Sequence, residues 1–100
     1  MAITYSLNDL GRIFDYTLPL TITPGDVLSQ KIIFYKPDGT RFERIATRSV
    51  DVITYDNSSP DETILDMIGS WEYTAQVVLD NVPDPDDTFE VPERNIFWVI

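Results

Sequence analysis

The sequence contains no cysteine and no histidine among its 100 residues. Without cysteine the chain has no disulfide framework, no thiolate nucleophile and no zinc-thiolate site. Without histidine it lacks both the commonest metal ligand and the commonest general base. Hydrolysis by paired carboxylates would need two acids opposed across a cleft, and no pattern in the sequence marks one. We therefore expect a protein that is not an enzyme and that holds no cofactor.

Positive charge is also scarce, because 7 Lys and Arg stand against 17 Asp and Glu and give a formal net charge of −10. Such a chain repels nucleic-acid phosphates and anionic lipid heads, so we expect neither nucleic acid nor a membrane as partner. Residues 1–9 show no basic start followed by an apolar run, and no window is long enough to span a membrane. We expect a complete small gene product that is made in a cytosol without a signal peptide.

The length and the 43% hydrophobic content indicate a single globular domain over residues 1–100. Period-two alternation, or a content of β-branched and aromatic residues, predicts strands in several segments. The predicted strands are 14–22, 27–36, 41–48, 50–55, 71–79, 88–91 and 95–100. In Trp71–Leu79 the odd positions are apolar throughout, which places Trp71 and Tyr73 in the core. The charged segment 41–48 is typical of an edge strand.

Turn-forming residues separate these segments. The run Lys36–Thr40 holds Pro-Asp-Gly between two extended stretches and predicts a β-hairpin. Thr23–Asp26 predicts a type II turn with Gly25 at positive φ. The segment 80–87, rich in Asp and Pro, predicts a loop.

One short helix is predicted to begin at Ser59. Pro60 suits the first helical position, and Glu62, three residues after Ser59, completes a capping box. Ile64, Leu65 and Ile68 would form its apolar stripe, and Gly69 would end it. The fold class predicted from these patterns is all-β, an immunoglobulin-like antiparallel two-sheet sandwich with one short helix.

Four pieces of the sequence, in order, resemble a known family. They are Ile32–Thr40, Ala46-Thr47, Gly69–Val77 and Thr88–Val91. This succession is similar to the immunoglobulin-like module of tailed-bacteriophage virion proteins, found at the N-terminus of baseplate upper and tail-fibre proteins and in head-decoration proteins. The resemblance covers about Leu18 to Val91. The chain departs from the pattern in its long acidic loop and in having no fibre region after the module.

The resemblance implies a structural protein without catalytic residues. We expect a virion component, made in the host cytoplasm, that contacts other virion proteins and its own copies. As a short chain it would serve as a tail or baseplate adaptor or as a capsid decoration protein, and the sequence leaves both open.

The apolar C-terminus is the main candidate interface. We expect the interface to include Ile96, Phe97, Trp98, Val99 and Ile100, with residues 95–100 acting as an interface strand. The alternative is that these residues form the last strand of the domain's own sandwich, because both kinds of burial have the same period. Residues 1–12 are interpreted as an N-terminal arm.

Two charged groups are further candidates. Arg41, Arg44 and Arg48 are interpreted as edge-strand charges or as the complement of an acidic partner. Asp80, Asp84, Asp86 and Asp87 offer oxygen ligands that suit calcium, but their spacing is not that of an EF-hand. We expect a solvated loop there and no metal, with calcium as the alternative.

Two other functions compete with virion assembly. A module that binds host glycans would use exposed aromatic residues together with the acidic loop. An acidic inhibitor that imitates the charge of DNA would need its charge in a surface stripe, whereas here the acids concentrate in loops.

Overall fold

The computed structural model describes residues 3–58, 63–80 and 85–100. Within these ranges the chain is almost entirely strand, connected by turns and by a short 3-10 helix at Pro24–Asp26. The strands are β1 (Ile3–Tyr5), β2 (Ile13–Thr17), β3 (Val27–Tyr35), β4 (Arg41–Ile45), β5 (Thr47–Ser49), β6 (Val52–Asp56), β7 (Gly69–Leu79), β8 (Asp87–Glu90) and β9 (Asn95–Val99).

Two sheets pack face to face, which confirms the predicted all-β sandwich. The larger sheet has the order β1-β9-β7-β3-β4. β9 and β8 pair with the same edge of β7, β9 along Gly69–Tyr73 and β8 along Gln76–Leu79. The smaller sheet has the order β2-β6-β5. Pairing is antiparallel except between β1 and β9, which run parallel.

The core between the sheets is a cluster of aromatic rings. Phe14 of β2 has its ring centroid 5.1 Å from that of Phe34 on β3 and 5.6 Å from that of Tyr73 on β7. Trp71 is fully buried, stacks on Phe97 and donates its indole N–H to the carbonyl of Met67. Trp71 and Tyr73 are therefore core residues, as predicted.

The Lys36–Thr40 hairpin is confirmed. The amide of Lys36 donates to the carbonyl of Thr40, and Gly39 has the positive φ, +88°, that the turn requires. Phe34 and Phe42 face each other across the strands it joins, and their rings stack. This turn was readable from sequence because its chemistry is local.

The charged segment predicted as one edge strand is divided between the two sheets. Residues up to Ile45 form β4, the edge of the larger sheet, and residues from Thr47 form β5, the edge of the smaller one. The buried Ala46 lies between them. Both strands lie at sheet edges, as predicted. The sequence pattern does not reveal that the chain crosses from one sheet to the other, because a single small residue connects the two strands.

Two local predictions are wrong around residues 18–26. The strand predicted to reach Ile22 ends at Thr17, and Leu20 is completely exposed. Leu18 still donates its amide to the carbonyl of Asp51, in register with the β2–β6 ladder, but Pro19 has no N–H with which to extend it. The turn at Thr23–Asp26 is a 3-10 turn, and Gly25 has no positive φ.

The predicted helix is not formed where it can be checked. Residues 59–62, with its capping signals, lie outside the described residues, while Thr63–Ile68 are irregular and Gly69 begins β7. Ile64 and Leu65 are both buried, whereas Ile68 is exposed, so the apolar residues do not act as one helical stripe. Burial of successive side chains at the end of the sandwich overrides the local helix signal.

Candidate functional site

The C-terminal strand β9 is an interior strand of the larger sheet. It pairs with β7 on one side and with β1 on the other, so its edges cannot accept a partner's strand along Phe97–Val99. Phe97 and Val99 are buried in the core, which corrects the expectation that they belong to an interface. The alternative interpretation, that residues 95–100 are the domain's own last strand, is the one observed.

The other face of β9 remains open. Ile96, Trp98 and Ile100 are 53%, 45% and 68% exposed, and we call these three residues the apolar row. They point away from the core because side chains alternate along a strand. Trp98 lies in register between Thr4 of β1 and Ser70 of β7, both of which leave its ring uncovered. The predicted interface is thus reduced to this row.

The beginning of the predicted N-terminal arm is a strand of the sheet. Ile3–Tyr5 pairs with Phe97–Val99, and the ring of Tyr5 lies edge-on to Phe97 at 5.5 Å between centroids. Beyond it, Asn8 donates its amide to Leu65. Asn57, which is fully buried, accepts a bond from the amide of Arg12 and donates one to the carbonyl of Asp9. The segment is therefore fastened along the sandwich.

A cavity of about 630 Å³ opens beside the apolar row. Trp98 and Ile96 line it, and Arg94 and Asn95 supply polar groups. The largely buried Tyr73 also contributes to the lining. The lining therefore combines aromatic side chains with hydrogen-bonding groups.

The three arginines predicted as an interface do not form one patch. Arg41 is on the outward side of β4 and pairs with Glu90 at 2.9 Å. Arg44 faces the opposite side and lies 5.0 Å from the ring centroid of Phe42. Arg48 lies on β5, in the smaller sheet, and donates to the carbonyl of Val50. The structure therefore divides them among three surroundings.

The outer face of the larger sheet, the face turned away from the smaller sheet, carries a network that sequence reasoning missed. Tyr35 of β3 and Arg41 of β4 both donate to the carboxylate of Glu90 on β8. The Arg41–Glu90 pair crosses the two strands that lie between β4 and β8. Beneath it lies Ile33, which is fully buried although it is on the outer face and outside the main core cluster.

Arg94 extends this network toward the apolar row. Its guanidinium carbon lies 3.7 Å from the ring centroid of Tyr35, and the same side chain pairs with Glu72 at 3.2 Å. On the other side, Glu43 pairs with Lys31 and Arg41. The cations and carboxylates of this face thus satisfy one another over Ile33 and the buried Thr74.

The ionisation of the network follows from its contacts. Burial opposes the charge of Glu90, but the hydrogen bonds from Tyr35 and Arg41 outweigh it and hold the pKa of Glu90 below 4.5. Burial and the bond to Glu90 raise the pKa of the Tyr35 hydroxyl above 10.0. The bonds to Glu90 and Tyr35 raise the pKa of Arg41, which therefore stays charged. All three groups keep their ordinary charges at neutral pH.

The acidic loop offers no assembled metal site among the residues described. Asp84 lies outside them, while Asp80 uses its amide to bond the carbonyl of Asp26, and Asp87 begins β8. Within residues 3–58, 63–80 and 85–100, no group of three or more potential metal ligands is close enough to hold an ion. The calcium alternative has no geometric support in this part of the loop.

No described helix has the length and apolarity needed to cross a membrane. Comparison of the chain with models of known protein families, with curated proteins and with solved structures found no match. Among the exposed large hydrophobic side chains of the described residues, those of the apolar row share one face of the larger sheet in consecutive outward positions.

Proposed function

We propose that the protein is a non-enzymatic structural component of a tailed-phage virion that assembles through protein–protein contacts. The observation that carries the proposal is the apolar row, an exposed aromatic and two exposed aliphatic side chains in line on the outer face of β9 and the residue after it. Trp and large aliphatic side chains on a fixed surface are typical anchors of protein interfaces.

The strand order supports an immunoglobulin-like module. In such a module the order β2-β6-β5 would be that of strands B, E and D and the order β9-β7-β3-β4 that of G, F, C and C′, with β8 as an addition between F and G. The family resemblance of Leu18–Val91 points to the same module. Such a sandwich is a scaffold whose function lies in its surfaces.

In a particle, the same small interface is repeated many times. Identical contacts on a lattice add by avidity, so a modest affinity for each copy is enough to hold the protein in place. The proposal includes both a tail or baseplate adaptor and a capsid decoration protein. In both cases the protein is made in the host cytoplasm and its working location is the virion.

The test compares incorporation of variants into particles of the phage that encodes the chain. Trp98→Glu places a charge in the apolar row and should abolish incorporation. Leu20→Glu is the matched control, because Leu20 is completely exposed after β2 and lies away from the row. Thermal unfolding and circular dichroism check that both variants fold. Equal incorporation of the two variants, or absence of the parent chain from purified particles, would contradict the proposal.

A second candidate function is favoured by the cavity beside Trp98. Its volume of about 630 Å³, its aromatic wall and its polar groups on Arg94 and Asn95 suit a sugar ring. A glycan array probed with and without calcium, using the parent chain and Trp98→Ala, tests this function. Binding that disappears in the variant would support it, and the absence of any bound glycan would rule it out.

A further inference from the structure

The charge of the molecule is distributed very unevenly. On the outer face of the larger sheet, cations and carboxylates occur in equal numbers and pair with one another; they are Lys31, Arg41 and Arg94 with Glu43, Glu72 and Glu90. The charges of these six side chains therefore sum to zero. The other charged side chains of the sequence, 4 basic and 14 acidic, account for the whole formal net charge of −10.

This partition restricts how two copies of the chain can approach. Outside these six residues acids outnumber bases 14 to 4, so copies that meet through surfaces carrying this excess bring carboxylates together, and unscreened like charges at close range repel. Copies that meet through the outer faces place the paired charges in contact and keep the excess carboxylates apart. The face whose described ion pairs cancel is thus also the one that carries the apolar row.

The face is large enough for a specific contact. Five strands of the larger sheet lie side by side and β7 runs for 11 residues, so at about 4.8 Å between strands and about 3.3 Å per residue the face measures roughly 700 Å². A standard-size interface buries about 800 Å² on each partner. Contact over nearly the whole face would therefore be within the range of stable complexes.

The part of such a contact formed by the apolar row would be apolar. The row of Ile96, Trp98 and Ile100 provides the anchors, and Ser70 and Thr4 beside Trp98 are small enough to let a facing side chain approach. The ion pairs on the β4 side are already formed within each copy, so they need no partner from the other copy. They would form a polar border on the side of the apolar part that faces β7, β3 and β4.

We propose that the outer face of the larger sheet binds a second copy of this chain face to face, with the two apolar rows packed against each other about a two-fold axis. This inference rests on the proposed assembly function and names the partner of the apolar row. The dimer is the unit that would then enter the particle.

Salt gives the contact a distinctive signature. Because the ion pairs of the contacting faces cancel and the excess carboxylates lie outside them, salt screens only repulsion, and the dimer should tighten as salt rises. A contact formed by ion pairs between molecules would weaken instead. The dissociation constant is measured by sedimentation equilibrium of the full chain at about 50 mM and about 500 mM NaCl, which span a large change in the Debye length.

The variant test uses matched charge additions. Ile96→Glu should raise the dissociation constant by about tenfold or more, because it buries a carboxylate against its symmetry mate. Leu20→Glu adds the same charge outside the face and should leave the constant within about twofold of the parent value. Ile96 is more than half exposed in the single chain, so the variant folds, and thermal unfolding checks this.

A parent chain that stays monomeric up to about 1 mM, a dimer that weakens with salt, or equal effects of the two variants would each overturn the inference. Failure here is distinguishable from failure of the proposed function. If the chain is monomeric yet Trp98→Glu is lost from particles, the apolar row binds another virion protein and only the second copy is wrong. If the chain dimerises but is absent from particles, the dimer stands and the virion function is wrong.

Discussion

The ring of Tyr35 lies against the guanidinium of Arg94, whose Cζ is 3.7 Å from the ring centroid, while the Tyr35 hydroxyl bonds the carboxylate of Glu90. One side chain thereby joins a cation from the segment just before β9 and an anion at the end of β8. The contact covers the outer surface of the sheet above Ile33, and it defines the boundary between the paired charges and the apolar row.

Arg94→Ala should lower the free energy of unfolding by about 1 kcal/mol, because it removes the cation–π contact with Tyr35 and the ion pair with Glu72. Lys31→Ala removes a charge of the same sign from the same face, where only an exposed pair with Glu43 is lost, and should cost less than about 0.5 kcal/mol. Urea unfolding of both variants measures the difference. Equal losses would show that the stack over Tyr35 contributes nothing.

Glu90 should make stability depend on pH in the acid range. Its pKa is lowered in the folded protein, so its contribution is present above the ordinary value of 4.5 and is lost as the pH falls through the folded pKa. Glu90→Gln should therefore be less stable than the parent at pH 7, and the difference should shrink as the pH approaches 3. The unfolding midpoint in urea, followed across this range, checks the sign. A difference that grows toward low pH would contradict the assignment.

Val50 and Gly39 both have positive φ, so introducing glycine at the first and removing it at the second should change stability in opposite directions. Val50 has a φ of 55°, a left-handed conformation that is unfavourable for a β-branched residue. Val50→Gly should raise the free energy of unfolding by about 1 kcal/mol. Gly39→Ala should lower it by about 1 kcal/mol, because Gly39 has a φ of +88° and an added Cβ would gain no contact. Thermal unfolding of both variants is the measurement. If Val50→Gly does not stabilise the protein and Gly39→Ala does not destabilise it, backbone strain does not contribute at these positions.

Truncation of two neighbouring residues of β9 to alanine should lower the free energy of unfolding by very different amounts. Phe97 is 1% exposed and Ile96 is 53% exposed. Phe97→Ala should cost about 3–5 kcal/mol through the cavity it leaves, whereas Ile96→Ala should cost less than about 1 kcal/mol. Similar costs in chemical unfolding would mean that β9 does not alternate between core and surface.

Much of the fold could be predicted because its signals are local. The alternation of Trp71–Leu79 and the Pro-Asp-Gly turn at Lys36–Thr40 each identify an element without knowledge of the rest of the chain. The helix expected from Ser59 shows the limit of this approach. Over Thr63–Ile68 the sandwich buries Ile64 and Leu65 together, and tertiary packing decides the conformation.

The candidate site was predictable only in part. Residues 96–100 are apolar at every position, so the sequence carries no alternation to separate the buried Phe97 from the exposed Trp98. The network of Tyr35, Glu90 and Arg94 joins positions far apart in the chain, and it depends on a strand order that periodicity does not supply. One available signal was the alternation of charged residues with Phe42 along β4, which marks an outer face rich in paired ions.

The pairing of β3 with β7 also governs how the chain reaches its fold. The ladder matches Val27 with Leu79 and Tyr35 with Glu72, so the middle of the larger sheet joins segments that are remote along the chain. The hairpin of β3 and β4 can close within about 1–10 μs, but the remote ladder must first overcome the entropy of closing a long loop. The protein should accordingly fold in milliseconds to seconds, as sandwiches dominated by non-local pairing do. The β3–β4 hairpin should form before the β3–β7 ladder.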